Sequence, residues 1–118
     1  MAVRRGDIVT VGIDQGPAQP IKRRPVVVVQ CDRNNARLTN AVVAMITSNT
    51  RLARKEPTQV LIDLATTEGR HTGLVQTSAV KCENLYTKLQ RDMRKIGVMP
   101  DALMQQVDEA LKSSLELS

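Results

Sequence analysis

Apolar residues along this chain fall first into short β-branched runs, and only near the end into a helical period. Ile8-Val9-Thr10-Val11-Gly12-Ile13 predicts a strand, opened by a turn at Gly6-Asp7. Pro25 to Cys31 holds consecutive valines at Val26 to Val29, the mark of a strand buried on both faces. Pro25 suits its first position, where the missing N–H breaks no ladder bond. Ala41 to Thr47, Val60 to Leu64 and Arg94 to Val98 predict further strands, and Gly73 to about Thr87 predicts one or two. Within that segment Val80-Lys81-Cys82-Glu83 alternates. Lys81 and Glu83 therefore share one face while Val80 and Cys82 share the other.

Polar stretches separate these runs. Asp14 to Lys22 reads as a loop of about nine residues, long enough to be functional. Asp32 to Asn40 reads as loop, Ser48 to Thr58 as a basic loop, Thr66 to Thr72 as a turn, and Tyr86 to Arg91 as a short helical turn. Leu103, Met104, Val107, Ala110, Leu111 and Leu115 then follow the 3.6-residue repeat and predict an amphipathic helix. Pro100 and Asp101 suit its start, and Lys112 lies near its positive-charge-favouring end. No repeat or linker interrupts the pattern. The 118 residues are expected to form a single domain over 1–118, mainly β with a C-terminal helix.

Composition narrows the partners. Lys and Arg number 17 against 12 Asp and Glu, a net charge of +5. That balance favours a polyanion, nucleic acid first; the plainer reading is a solvated basic surface. Aromatic residues make up 1% of the chain, with one Tyr and no Trp or Phe. Only Tyr86 and His71 could stack on bases, so a reader built on aromatic platforms is not expected. Any RNA contact must come from Arg, Lys and polar groups. His71 has no partner at ligand spacing, and Cys31 and Cys82 form no C-x-x-C, so no metal is expected; both thiols read as small buried hydrophobes. No apolar run approaches the ~20 residues of a membrane span and no signal segment is seen, so a cytoplasmic chain without membrane contact is expected. Arg5-Gly6-Asp7 spells an adhesion tripeptide, a coincidence in such a setting.

Candidate chemistry gathers at strand ends. Arg23 and Arg24 stand at the mouth of the valine strand, where a rigid element would hold a guanidinium ready to grip an oxyanion. Thr47, Ser48 and Asn49 end another apolar strand. The combination fits a phosphate site, and equally a β-protein with charged strand caps. The Lys81 and Glu83 pair fits either a solvated face or an acid–base pair.

Taken in order, these residues resemble the PemK/MazF family of toxins from bacterial toxin–antitoxin systems. The ordered elements are Arg5-Gly6-Asp7-Ile8, Arg24-Pro25 with Val26 to Val29, Ile46-Thr47-Ser48-Asn49, Gly73-Leu74 with Ser78, Cys82-Glu83 with Thr87, Lys95-Ile96-Gly97, and Val107-Asp108-Glu109-Ala110-Leu111. The resemblance implies a small SH3-like barrel of antiparallel strands with short helices and a C-terminal helix. It implies a homodimeric, sequence-selective endoribonuclease that works without metal or other cofactor, cuts single-stranded RNA to 2′,3′-cyclic phosphate and 5′-hydroxyl ends, and is inhibited by a cognate antitoxin protein. It carries catalytic roles to Arg24 and Thr47, and in one branch to Lys81 and Glu83. Lys22, Arg23, Ser48, Asn49, Arg51 and Gln19 are the expected RNA contacts. Two departures bear on base preference and loop gating: Gln19-Pro20 replaces a common Glu-Gln, and Asn84-Leu85-Tyr86-Thr87 replaces a run that carries an arginine.

In the implied mechanism the RNA's own 2′-hydroxyl attacks the adjacent phosphorus. Arg24 would stabilise charge, since a guanidinium with pKa above ~12 is a poor base. Thr47 would donate to a phosphate oxygen, Glu83 would accept the proton, and Lys81 would support charge. His71 is expected at the surface. A gyrase-poisoning toxin of the related type would need a C-terminal Trp-Gly-Ile, whereas this chain ends Ser114-Leu115-Glu116-Leu117-Ser118. A catalytically inactive RNA- or antitoxin-binding homologue is the other alternative, against which Arg24 and Thr47 stand.

Overall fold

The β-branched runs pair into a single antiparallel sheet. In the computed structural model, which describes residues 2–118, the strands are β1 (Asp7–Ile13), β2 (Lys22–Val28), β3 (Asn40–Thr47), β4 (Gln59–Ile62), β5 (Ser78–Leu89) and β6 (Arg94–Val98). Their order is β4-β5-β3-β2-β1-β6, so β4 and β6 are the two edges of a curled, half-closed barrel. Helices α1 (Asp32–Arg37), α2 (Thr67–Arg70) and α3 (Asp101–Leu115) decorate it.

The pleat sorts side chains into two cores. On one face Ile8, Val27, Ile46, Val60, Ile62, Val80 and Cys82 pack against Leu103, Met104, Val107 and Ala110 of α3. On the other, Val9, Val11, Ile13, Val26, Val28 and Val43 fill the inside of the curl. Val26, Val27 and Val28 are fully buried, as a strand covered on both sides requires. Arg5 ties α3 to the sheet: its Nη2 donates to Asp108 Oδ1 at 2.7 Å and its Nε to the Val29 carbonyl at 2.8 Å. Buried Asp7 pairs with Lys95 at 3.3 Å and so fastens β6.

Several boundaries differ from expectation. The valine strand starts earlier, at Lys22, and Pro25 lies inside it opposite Thr10. This is tolerated because β3 pairs only with Val26 to Val28, so no β3 ladder bond is lost at Pro25. Asp32 to Asn40 contains α1 rather than loop alone, anchored by Asn35, whose Nδ2 donates to the Gln30 carbonyl at 3.0 Å. The expected turn at Thr66 to Thr72 holds the one-turn helix α2, capped by Thr66 accepting from Gly69 N–H at 3.0 Å. Tyr86 to Leu89 continues β5, and the 3₁₀ turn covers only Gln90 to Asp92. Cys31 is exposed, not a buried hydrophobe, because it precedes α1 at the surface; Cys82 is buried. Leu115 leaves the apolar stripe at the end of α3 and is 51% exposed.

Candidate active site

Arg24 faces away from α3. It opposes Val11 on β1 and so shares the curl face with Val26, two residues on. Met45 and Thr47 on β3 occupy the same face, and Lys81 on β5 stands opposite Met45. Arg24, Thr47 and Lys81 therefore line one cavity of about 440 Å³. Ser48, Gln15, Gln76, Ser78 and Asn84 complete its polar wall, with Ile13, Pro25, Ile46, Leu74 and Val75 apolar.

The cavity is electropositive. Among the described residues neither Arg24 nor Lys81 has a carboxylate at ion-pair distance. Among the described residues Arg24 donates, from Nη2, only to Gln15 Oε1, at 3.3 Å, which leaves most of its donors open to an oxyanion. Thr47 Oγ1 accepts from Asn49 N–H at 3.1 Å, which points the hydroxyl proton elsewhere and closes a tight turn at the strand end. Asn49 Oδ1 in turn accepts from Arg51 N–H at 3.2 Å.

A bulge shapes this wall. The β3–β5 register jumps from Ala44 opposite Leu85 to Met45 opposite Lys81, so Cys82, Glu83 and Asn84 have no β3 partner. Bulges bend a strand and re-aim its side chains. Here the bulge puts Asn84 in the cavity and turns Glu83 outward.

Glu83 consequently does not line the cavity of Arg24, Thr47 and Lys81. Its Oε1 accepts from Thr58 Oγ1 at 3.1 Å and its Oε2 from Gln59 Nε2 at 2.9 Å. Partial burial pushes its pKa up, but the donors from Gln59, its own backbone and Thr58, with the Lys81 charge, hold it below the ordinary 4.5. It is a carboxylate kept ionised and engaged. Buried Gln59 has an orphan: its Oε1 is shielded and has no donor, a condition that costs about 1–3 kcal/mol. Beside it Thr47, Asn49, Arg51, Leu52, Gln59 and Lys81 surround a smaller recess of about 80 Å³.

The remaining expected contacts scatter. Ser48 lines the cavity, while Asn49 and Arg51 line the recess. Arg23 points to the opposite face and donates to the carbonyls of Thr10 at 2.6 Å and Asp92 at 2.9 Å. Lys22 and Gln19 are exposed and outside the cavity lining. His71 is exposed. Sequence reasoning missed Gln15, Gln76 and Gln59. Glutamines carry no periodicity signal in a loop or at a strand start, and only the register places them.

An antiparallel, curled sheet with a cationic cavity at its strand ends defines a small β-protein with a candidate anion site. The family follows from comparison. Residues 4–115 match the PemK-like, MazF-like toxins of type II toxin–antitoxin systems, and the chain belongs to that family. It is 37% identical over 121 residues to endoribonuclease MazF6 of Mycobacterium tuberculosis, covering 99% of this chain and 100% of that one. It is also 37% identical over 124 residues to endoribonuclease EndoA of Bacillus subtilis, covering 99% and 97%. The fold matches that of a mycobacterial endoribonuclease solved in complex with its cognate antitoxin, with a TM-score of 0.79 at 21% identity, covering 99% and 98%.

Proposed function

We propose that the chain is an endoribonuclease toxin that cuts single-stranded RNA by attack of the 2′-hydroxyl on the adjacent phosphorus. The observation that carries this reading is the convergence of Arg24, Thr47 and Lys81 on one cavity without a neutralising carboxylate. The scissile phosphate sits against the free face of the Arg24 guanidinium, with Thr47 Oγ1 donating to a non-bridging oxygen and Lys81 adding charge. As the 2′-oxygen bonds to phosphorus and the 5′-oxygen leaves, negative charge grows on the equatorial oxygens, and these donors hold it. The lining contains no carboxylate or imidazole. The rate in this reading comes from alignment and charge stabilisation. The hydroxyl proton passes to water or a phosphate oxygen, and the leaving 5′-oxygen takes one up. Glu83 supports the site rather than acting as its base, because it lies outside the lining that holds Arg24, Thr47 and Lys81.

A cognate antitoxin and a second copy of the chain are the proposed protein partners. A net charge of +5 attracts an acidic segment that folds on binding, and the solved relative is itself held by its antitoxin. The direct test is incubation with mixed single-stranded RNA in EDTA, followed by end-group analysis. Fragments with cyclic phosphate and 5′-hydroxyl ends are expected, with none from the same sequences carrying 2′-deoxyribose. Cleavage of the deoxy substrates, or intact RNA, would refute the mechanism.

A further inference from the structure

We infer that the recess beside the cavity is a base-reading subsite, and that Gln59 Oε1 is the atom that reads. The inference rests on the nuclease reading above. Gln59 lies on β4 opposite Lys81 and so shares the face that carries Lys81 and Thr47. Its residue exposure is only 9%, and its Oε1 has no donor. An amide oxygen kept dry and unpaired is a poor choice for stability alone. It becomes a useful one if the donor arrives with a ligand.

The amide's orientation is fixed rather than free. Nε2 donates to Glu83 Oε2 at 2.9 Å, and Glu83 Oε1 lies 3.1 Å from Thr58 Oγ1, whose one proton it shares with Glu56 Oε1, also at 3.1 Å. A carboxylate accepts only, so the –NH₂ end must face Glu83. The oxygen is then the end of the amide turned away from Glu83, on a residue that lines the recess. An acceptor there repels phosphate and selects an N–H donor. The recess, about 80 Å³, admits the edge of a single ring rather than a whole purine. Arg51 and Lys81, which line it, supply donors beside the acceptor. Donor and acceptor side by side match a pyrimidine edge, the amine and N3 of cytosine or the N3–H and O4 of uracil. Arg51, Leu52 and Lys81, which line the recess with it, are long side chains that can swing aside, while Gln59 is fixed in a strand. Thr47 and Lys81 line both spaces, so the base read is a near neighbour of the cut phosphate.

Glu83 is thus a positioning residue. Glu83→Gln removes the one-way lock and lets the Gln59 amide turn, offering –NH₂ in place of oxygen. Gln59→Met keeps length and removes the acceptor.

The test is cleavage of a randomised single-stranded RNA pool by each protein, with sequencing of the new 5′-hydroxyl ends and thermal melting alongside. The parent should enrich one pyrimidine at one position near the cut by about tenfold or more, the discrimination one good paired contact gives. Gln59→Met should lose that enrichment while enrichments elsewhere persist, and Glu83→Gln should relax it at the same position. Parental enrichment retained in a folded Gln59→Met overturns the subsite and leaves the nuclease reading intact. A uniform loss of rate over all sequences also overturns it, pointing to a ribose contact or general packing. A parent that cuts no RNA overturns the nuclease reading first, and the subsite with it.

Discussion

Replacing Arg24 by Ala removes the guanidinium at the centre of the cavity and little else. Among the described residues its one side-chain hydrogen bond is to exposed Gln15, at 3.3 Å. It has no ion-pair partner among the described residues, so no carboxylate is orphaned by its loss. The stability change should stay within about 0.5 kcal/mol, as for substitutions away from buried networks. Catalysis should suffer far more. A preorganised donor aimed at developing oxyanion charge is worth about 2.7–4 kcal/mol, or a hundred- to thousandfold in rate. Arg24→Lys keeps the charge without the planar fork and should fall between parent and Ala. RNA affinity should drop less than rate, because the other cations of a +5 chain carry salt-dependent binding. Single-turnover cleavage, melting and RNA titration on the three proteins measure each quantity separately. An Arg24→Ala protein that melts like the parent and cuts at the parental rate would refute the assignment.

Three other outcomes follow from packing and ionisation. Val27→Ala empties a fully buried position between the sheet and α3, removing two methyl groups at about 0.8 kcal/mol each plus a cavity penalty. A loss of about 2 kcal/mol is expected, seen as a fall in denaturation midpoint without a change in slope. Cys82 is buried and its thiol is pushed up to about 12, first by burial and then by the Glu83 charge, whereas Cys31 is exposed. Titration of the native protein with a disulfide reagent at pH 8 should therefore count one fast thiol, abolished by Cys31→Ser, and two after unfolding. Glu83 has a folded pKa below its ordinary 4.5, so its contribution to stability is complete above that value and is lost as pH falls through the folded one. Glu83→Gln should flatten the dependence of melting temperature on pH in that acid range, and an unchanged slope would show that Glu83 is not held ionised.

Much of the fold was legible because its strands are β-branched runs bounded by turn residues, and the helix because its period changed. The segments misread are those whose stability is polar. Asn35 anchors α1 through Gln30, with no apolar pattern to announce it. Pro25 argued for a strand start, yet what decides is whether a neighbour needs its N–H, and that depends on where β3 stops. At the site, Arg24, Thr47, Ser48 and Lys81 do converge. Glu83 carried the same resemblance but not the same place, because the bulge after Lys81 exceeds anything that alternation can express. Gln59 had no signal at all. Its significance lies in an unmade hydrogen bond, a property of three dimensions only.

The two-faced sheet also makes the chain unusual material for change. On β3, Ala44 and Ile46 belong to the helix-side core, Ile46 also reaching the cavity wall, while Met45 and Thr47 face the cavity. Neighbours in the text thus answer to different demands, one thermodynamic and one chemical. A library that randomises only Met45 and Thr47, with Lys81 and Gln59 across the ladder, should return many folded members with altered cutting. A library shifted by one residue should return few survivors, all cutting alike. The grain of the sheet, read in steps of two, separates what the protein must keep from what it is at liberty to reinvent.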